Sequence, residues 1–391
     1  MAGPPRPCPP RPSHRPAPPP APQTYHIKAR DGVSLAVDVI LPPQSRHPRP
    51  VPLVFHQTRY WRSVRVRPWL RCAVRTHGKP VDWINEPAKR LAVSLGCAVV
   101  SMDARGTGAS GGVWGHPWAP RERCDSLEVL MWAAAQAWSD GRAVLYGMSY
   151  DATAALHTAA FGHPAVVGVA VRYPFWDLFG AITAPGGVPL HSFTQDWSRF
   201  GALLDRGRLG PLALCVARTP VLVPEDGPLL RARRAAGGDA GAPAGARGDA
   251  AFSDAAVARS EARDGGGDGG GDGGGDGGGG FVGYRALTPG ERRGLRRDGA
   301  RRTGGLAGRR EGNWRGGADL ASVRCADDAA PSSPGRPFQA VSPCNFAPRL
   351  RRLGLDAFVE TGWLDVTVPE AACVFEHLGG GDLSELVIGP W

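Results

Sequence analysis

The sequence predicts an α/β fold, a mostly parallel sheet flanked by helices, and three observations carry that expectation. Short apolar runs of strand length recur at 51–56, 96–103, 141–148 and 166–171, with the near-continuous hydrophobicity of strands buried on both faces. Segments of helical spacing alternate with them at 86–95, at 121–138 and from Tyr150 to about residue 161, the pattern of βαβ units. Polar and aromatic residues such as those at 57–63 gather just past the strand ends, where α/β sheets place their chemistry.

Taken in order, residues 1–23 form a proline-dominated tail expected to be disordered. Order is expected from about Thr24. Asp31-Gly32 reads as a turn into an alternating strand that Pro42 and Pro43 stop. After the strands at 51–56 and 96–103, the helix at 121–138 sets Leu127, Leu130, Met131 and Ala134 on one side. Ser139-Asp140-Gly141 reads as the turn into the next strand. Beyond Tyr173 periodicity weakens, and the aromatic, Pro/Gly-punctuated stretch to about Leu204 suits a lid or substrate-side insertion. Residues 206–341 give no readable fold. Their Gly-Gly-Gly-Asp repeat at Asp264, Asp268, Asp272 and Asp276 lacks the apolar residues a calcium-binding β-roll needs, so a disordered low-complexity insert is expected; a lost reading frame would produce the same composition. Order is expected to return at Phe346, with a strand at 355–360, a helix at 367–378 and a last strand at 385–391. The domain layout is thus 1–23 tail, 24–205 first part of the core with the start of a lid, 206–341 insert and 342–391 second part of the core.

Composition narrows the function. The 391 residues include 55 Gly and 38 Pro, concentrated in the tail and the insert, and carry a net charge of +10. Much of the basic excess is arginine such as Arg292, Arg293, Arg296 and Arg297, with no interleaved aromatics to stack on bases, so no nucleic-acid partner is expected. Eight scattered cysteines suggest neither a zinc site nor a disulfide framework. The N-terminus has no apolar run of the secretory type, and no stretch is long enough to span a bilayer. A cytoplasmic protein with no membrane partner, no cofactor and no metal is expected.

The chemistry centres on Gly147-Met148-Ser149-Tyr150-Asp151. An apolar strand, a glycine, a serine and then Ala/Thr-rich helical sequence are the parts of a nucleophile elbow, which lifts a serine hydroxyl to the strand's C-terminal edge. Gly147 suits a turn with no room for a side chain. Asp151 stands where G-x-S-x-G has its last glycine, and a plain helix N-cap is the alternative reading of Ser149. Asp365, just past a strand, sits where a triad acid belongs or is a turn aspartate. Tyr60 could donate to an oxyanion beside the Tyr150 amide, or be a packing aromatic. The run Gly106-Thr107-Gly108-Ala109-Ser110-Gly111 matches the dinucleotide fingerprint in letters. No helix can open inside it, because Gly112, Gly115, Pro117 and Pro120 follow, so a nucleotide site is not expected.

Together these stretches resemble the cocaine esterase and Xaa-Pro dipeptidyl-peptidase family of α/β-hydrolases. The matching residues are 31–36, Arg59-Tyr60, 103–111, Trp138-Ser139-Asp140-Gly141, Gly147-Met148-Ser149-Tyr150, Gly362-Trp363-Leu364-Asp365 and Ile388-Gly389-Pro390-Trp391, so the resemblance covers about 24–205 and 342–391. It implies an α/β-hydrolase fold in which Ser149 is the nucleophile, Asp365 the acid, and Tyr60 with the Tyr150 amide the oxyanion hole. The Arg105-Gly106 loop is implied as structural support. The substrate implied is a small ester, an amide or a short peptide.

The family's catalytic histidine follows Gly-Pro-Trp within a residue or two, and the sequence given ends at Trp391. His56, His116, His157, His163, His191 and His377 fall on strands, helices or loops with nothing to pair them with Ser149. The jelly-roll domain that follows in the family is absent from this sequence as well. The expectation is a serine hydrolase whose turnover is impaired in this chain. The alternative is a truncated or frame-disrupted member that acts at most as a binding scaffold.

Overall fold

A computed structural model describes residues 20, 22–63, 82, 84–205 and 338–390; the expectations for the tail and for nearly all of the insert lie outside them. The described chain contains an eight-stranded sheet. Its strands are β1 (Gln23–Lys28), β2 (Ser34–Ile40), β3 (Val51–Thr58), β4 (Ala98–Asp103), β5 (Ser139–Met148), β6 (Val166–Arg172), β7 (Asp356–Gly362) and β8 (Glu385–Gly389). They lie in the order β1-β2-β4-β3-β5-β6-β7-β8. The pairs β1/β2 and β2/β4 are antiparallel and all others parallel. This is the α/β-hydrolase arrangement, with β5 near the middle and its C-terminal end flanked by those of β3 and β6.

Helices α1 (Glu86–Ser94), α2 (Pro120–Ala134), α3 (Tyr150–Ala159), α4 (His191–Asp205), α5 (Ala347–Leu353) and α6 (Val368–Leu378) complete the layers. The main core lies between sheet and helices. Leu53, Phe55, Val100, Met102, Ala143 and Leu145 of the strands pack with Leu130, Ala152, Leu156 and Val374 of the helices. A second, aromatic core lies over the C-terminal strand edge, from Tyr60, Trp114, Trp118, Tyr150, Phe175 and Leu178.

Several boundaries differ from the sequence reading, each for a local reason. The antiparallel strand β1 begins at Gln23 and pairs with β2 from Gln23↔Val39 to Lys28↔Ser34. Ser139-Asp140-Gly141 belongs to β5 rather than to a turn, since Ser139 pairs with Val51 before a register shift. Helix α2 stops at Ala134; Leu127 and Leu130 are buried as expected, Met131 and Ala134 only half-buried, and the buried residues also include Glu122, Asp125, Ser126, Val129, Trp132 and Ala133. Apolar periodicity found part of that face and missed the buried polar residues Glu122, Asp125 and Ser126. Two short 3-10 turns, Phe338–Val341 and Pro343–Phe346, start ahead of the expected Phe346, and helix α5 follows before β7. The lid stretch folds as a π-turn (Phe179–Thr183) followed by α4.

Candidate active site

The elbow forms where β5 meets α3. Ser149 takes φ 57° and ψ −119°, a conformation that non-glycine residues adopt only when their surroundings enforce it. The enforcement is visible: Ser149 N donates to Arg172 O of β6 (2.9 Å), and Ser149 O accepts from Thr153 N (3.1 Å). A side chain at Gly147 would lie 2.1 Å from the Asp151 carbonyl oxygen and 2.4 Å from Ala152 N, so the first turn of α3 closes onto bare backbone. The Ser149 residue is half-buried, and its backbone leads into the free N–H groups at the start of α3.

Asp151 accounts for the departure from G-x-S-x-G. Its Oδ2 lies 2.9 Å from His56 Nε2 of β3, both side chains buried, and Asn85 Nδ2 reaches the same ring nitrogen at 3.4 Å. Burial raises the Asp151 carboxyl, partly offset by the His56 contact. The partners are 95 positions apart, so no local pattern announced the pair. His56 is therefore committed beneath the elbow.

Tyr60, just past β3, is brought to Ser149. The Ser149 side chain lies near enough to act on the Tyr60 phenol, and the phenol accepts a hydrogen bond from Trp197 Nε1 of α4 at 2.9 Å. Burial, then the nearby Asp151 charge, pushes the phenol far above its ordinary range, so it stays a protonated donor. Tyr60 N donates to Thr58 Oγ1 (2.9 Å), fixing the bend out of β3.

Tyr150 is anchored from its side chain. Its hydroxyl donates to Glu122 Oε1 (2.6 Å), Trp118 N donates to that hydroxyl (3.2 Å), and Trp118 Nε1 donates to Tyr150 O (3.1 Å). Trp114 Nε1 and Gln57 Nε2 also donate to Glu122, at 3.0 and 2.7 Å. Glu122 is fully buried, and burial raises its carboxyl from 4.5 to about 7 despite these donors. A carboxyl raised by folding contributes stability that is complete below about pH 4.5 and is lost as pH rises through about 7. The Glu122→Gln variant is thus expected to lose this slope, on the order of 3 kcal/mol between pH 4.5 and 8. Urea unfolding across that range checks it. Asp125, raised by burial to about 6, tilts both proteins alike; parallel curves would contradict the assignment.

Asp365 sits in the loop after β7, two strands from β5 along the same sheet edge. Its Oδ1 accepts from Thr367 N (2.8 Å) and Thr367 Oγ1 (2.6 Å). Thr367 Oγ1 also meets Thr361 Oγ1 at 2.9 Å. Trp363 N donates to Gly389 O (2.9 Å), so the end of β8 lies beside this loop. The other described histidines have their own settings. His157 is buried between Trp118 and Phe346, and burial holds it well below the usual imidazole range. His377 bonds the Cys373 carbonyl through Nδ1 (2.9 Å) and faces Trp176; it is half-buried.

The glycine-rich run is a closed loop. Arg105 grips Asp125 with Nε (2.7 Å) and Nη2 (2.6 Å) and Asp31 with Nη1 (2.8 Å). A side chain at Gly108 would strike the Asp103 carboxylate at 2.2 Å. That carboxylate already accepts from Ala109 N and Arg62 N. Among the described residues there is no group of three His, Cys, Asp or Glu able to hold a metal ion. No helix among them is long and apolar enough to cross a membrane.

Known proteins are similar to this chain over part of its length. Residues 31–212 match the family described as X-Pro dipeptidyl-peptidase (S15 family). A Mycobacterium bovis protein named as a serine esterase is 35% identical over 198 residues, covering 50% of this chain and 31% of that protein. The cocaine esterase of Rhodococcus sp. is 29% identical over 184 residues, covering 46% of this chain and 28% of the enzyme. The chain thus spans about a third of the length of the curated relatives it matches. Among solved structures, a CocE/NonD family hydrolase from Staphylococcus aureus aligns with a TM-score of 0.38 at 24% identity, over 46% of this chain and 32% of that one. Over residues 31–212 the chain is thus similar to the X-Pro dipeptidyl-peptidase (S15) family, on a sheet with the α/β-hydrolase strand order.

Proposed function

We propose that the protein is a serine hydrolase that cleaves an ester or amide of a small molecule or short peptide through an acyl-enzyme on Ser149. The observation that carries this reading is the strained elbow, where Ser149 takes φ 57° at the strand end, with the Tyr60 phenol beside it. In the proposed cycle Ser149 Oγ attacks the substrate carbonyl and gives its proton to a base. The oxyanion is held by the Tyr60 hydroxyl and the Tyr150 N–H. The alcohol or amine leaves with that proton, and water then releases the acid by the reverse sequence. The names of the serine esterase and cocaine esterase relatives favour an ester, and the family description favours an Xaa-Pro peptide.

Asp365 is proposed as the acid that orients the base. Thr367 fixes its Oδ1 and leaves Oδ2 to face a partner. The base is proposed to be a histidine following Gly389-Pro390-Trp391, since β8 brings that end of the chain beside the Asp365 loop. Hydrolysis of a p-nitrophenyl ester and of an Xaa-Pro p-nitroanilide tests the reading. A chain extended past Trp391 with a histidine is expected to exceed the 391-residue chain by about 10³-fold or more. Equal rates would sink the base assignment, and no hydrolysis of either substrate by the extended chain would sink the function.

A further inference from the structure

Helix α4 does more than cover the sheet edge. Its Trp197 indole is boxed in by Tyr150 (rings stacked at 6.1 Å, 20° between planes), Trp114 (6.1 Å) and the Arg59 guanidinium (5.6 Å). The helix is tied down on the same side. Arg59 Nη2 reaches both Asp205 carboxylate oxygens at 3.4 Å, and a side chain at Gly201 would lie 2.6 Å from Arg59 Nη1. The indole rotamer is therefore set by packing, and its N–H points at Tyr60 Oη from 2.9 Å.

The chemistry of that contact is one-directional. An indole N–H only donates, whereas a phenol has a single hydrogen and two lone pairs. With Trp197 bonded to one lone pair, the Tyr60 hydrogen is directed away from the indole. As that hydrogen bonds a developing oxyanion, the phenol oxygen gains negative character and the Trp197 bond strengthens with it. We infer that Trp197 is a positioning residue which aims the Tyr60 hydroxyl into the oxyanion hole, so that the hole is complete only while helix α4 is docked. This rests on the proposed roles of Ser149 and Tyr60 and adds a third participant, borne by the lid.

The test is the rate of Ser149 modification by a fluorophosphonate, in which Ser149 Oγ bonds phosphorus and fluoride leaves. The chain extended past Trp391 with a histidine is the reference (wild type), and its Trp197→Phe, Tyr60→Phe and double variants are compared with it. Trp197→Phe keeps the aromatic box and removes only the N–H. It is expected to slow labelling about tenfold, and Trp197→His, which restores a ring N–H, to recover part of the loss. In the Tyr60→Phe background the Trp197→Phe change is expected to have no further effect, since no hydroxyl is left to aim. A structural role for Trp197 predicts the opposite, an undiminished loss in both backgrounds. That result, or labelling of Trp197→Phe at the wild-type rate, overturns the inference while leaving the hydrolase reading in place. Failure of wild type to react at Ser149 overturns both.

Discussion

Replacing Ser149 by alanine is expected to bring ester and amide turnover down to the uncatalysed background. The loss is on the order of 10⁴- to 10⁶-fold for a protein with its base in place. The size follows from the chemistry, because a triad works as a unit and without the nucleophile no acyl-enzyme forms. The remaining oxyanion donors, the Tyr60 phenol and the Tyr150 amide, would still bind a carbonyl but would have nothing to bond to it. The fold should survive the change. The elbow is held by backbone contacts, Ser149 N to Arg172 O and Thr153 N to Ser149 O, and alanine keeps both. Steady-state kinetics beside near-ultraviolet circular dichroism checks the pair of outcomes. Retention of even a tenth of the activity with the fold intact would place the chemistry elsewhere.

The second large effect is expected at Gly147, two residues earlier, and falls on stability first. A Cβ there would overlap the Asp151 carbonyl oxygen at 2.1 Å and Ala152 N at 2.4 Å, both backbone atoms of α3 that no rotamer change can move. The helix must back away, yet it is pinned. Asp151 is paired with His56 under the sheet edge, and the Tyr150 hydroxyl is bonded to Glu122. Gly147→Ala is therefore expected to cost at least about 3 kcal/mol, with loss of activity in whatever fraction remains folded. Chemical denaturation measures it. A loss below about 1 kcal/mol would mean that the elbow is looser than the backbone contacts require.

The sequence made the sheet legible because its strands are short apolar runs separated by amphipathic helices, and the parallel pairing of β3 to β8 follows from that alternation. The elbow was legible for a related reason: glycine, serine and a helix start are neighbours in the chain. What could not be read depended on distance along the chain. Glu122 lies on the buried side of α2, where a charged residue defeats apolar periodicity, and its partner Tyr150 is 28 positions away. Trp197 looked like one more aromatic in an irregular stretch, and its contact with Tyr60 spans 137 positions. Asp151 read as an exception to a motif, and only the fold puts His56 beside it. The fingerprint-like glycines are followed by prolines that bar a helix, and contacts of Arg105 and Asp103 hold that loop closed.

The claim on which the account turns is that Ser149 is a reactive nucleophile served by Tyr60. Its most direct test is to treat the folded chain, extended past Trp391 with a histidine, with a fluorophosphonate and map the modified residue by peptide mass spectrometry. The account predicts one adduct per chain, on Ser149, lost on heat denaturation before treatment and slowed by Tyr60→Phe. An unmodified Ser149 in the folded protein, or an adduct forming at the same rate on the denatured chain, would contradict it.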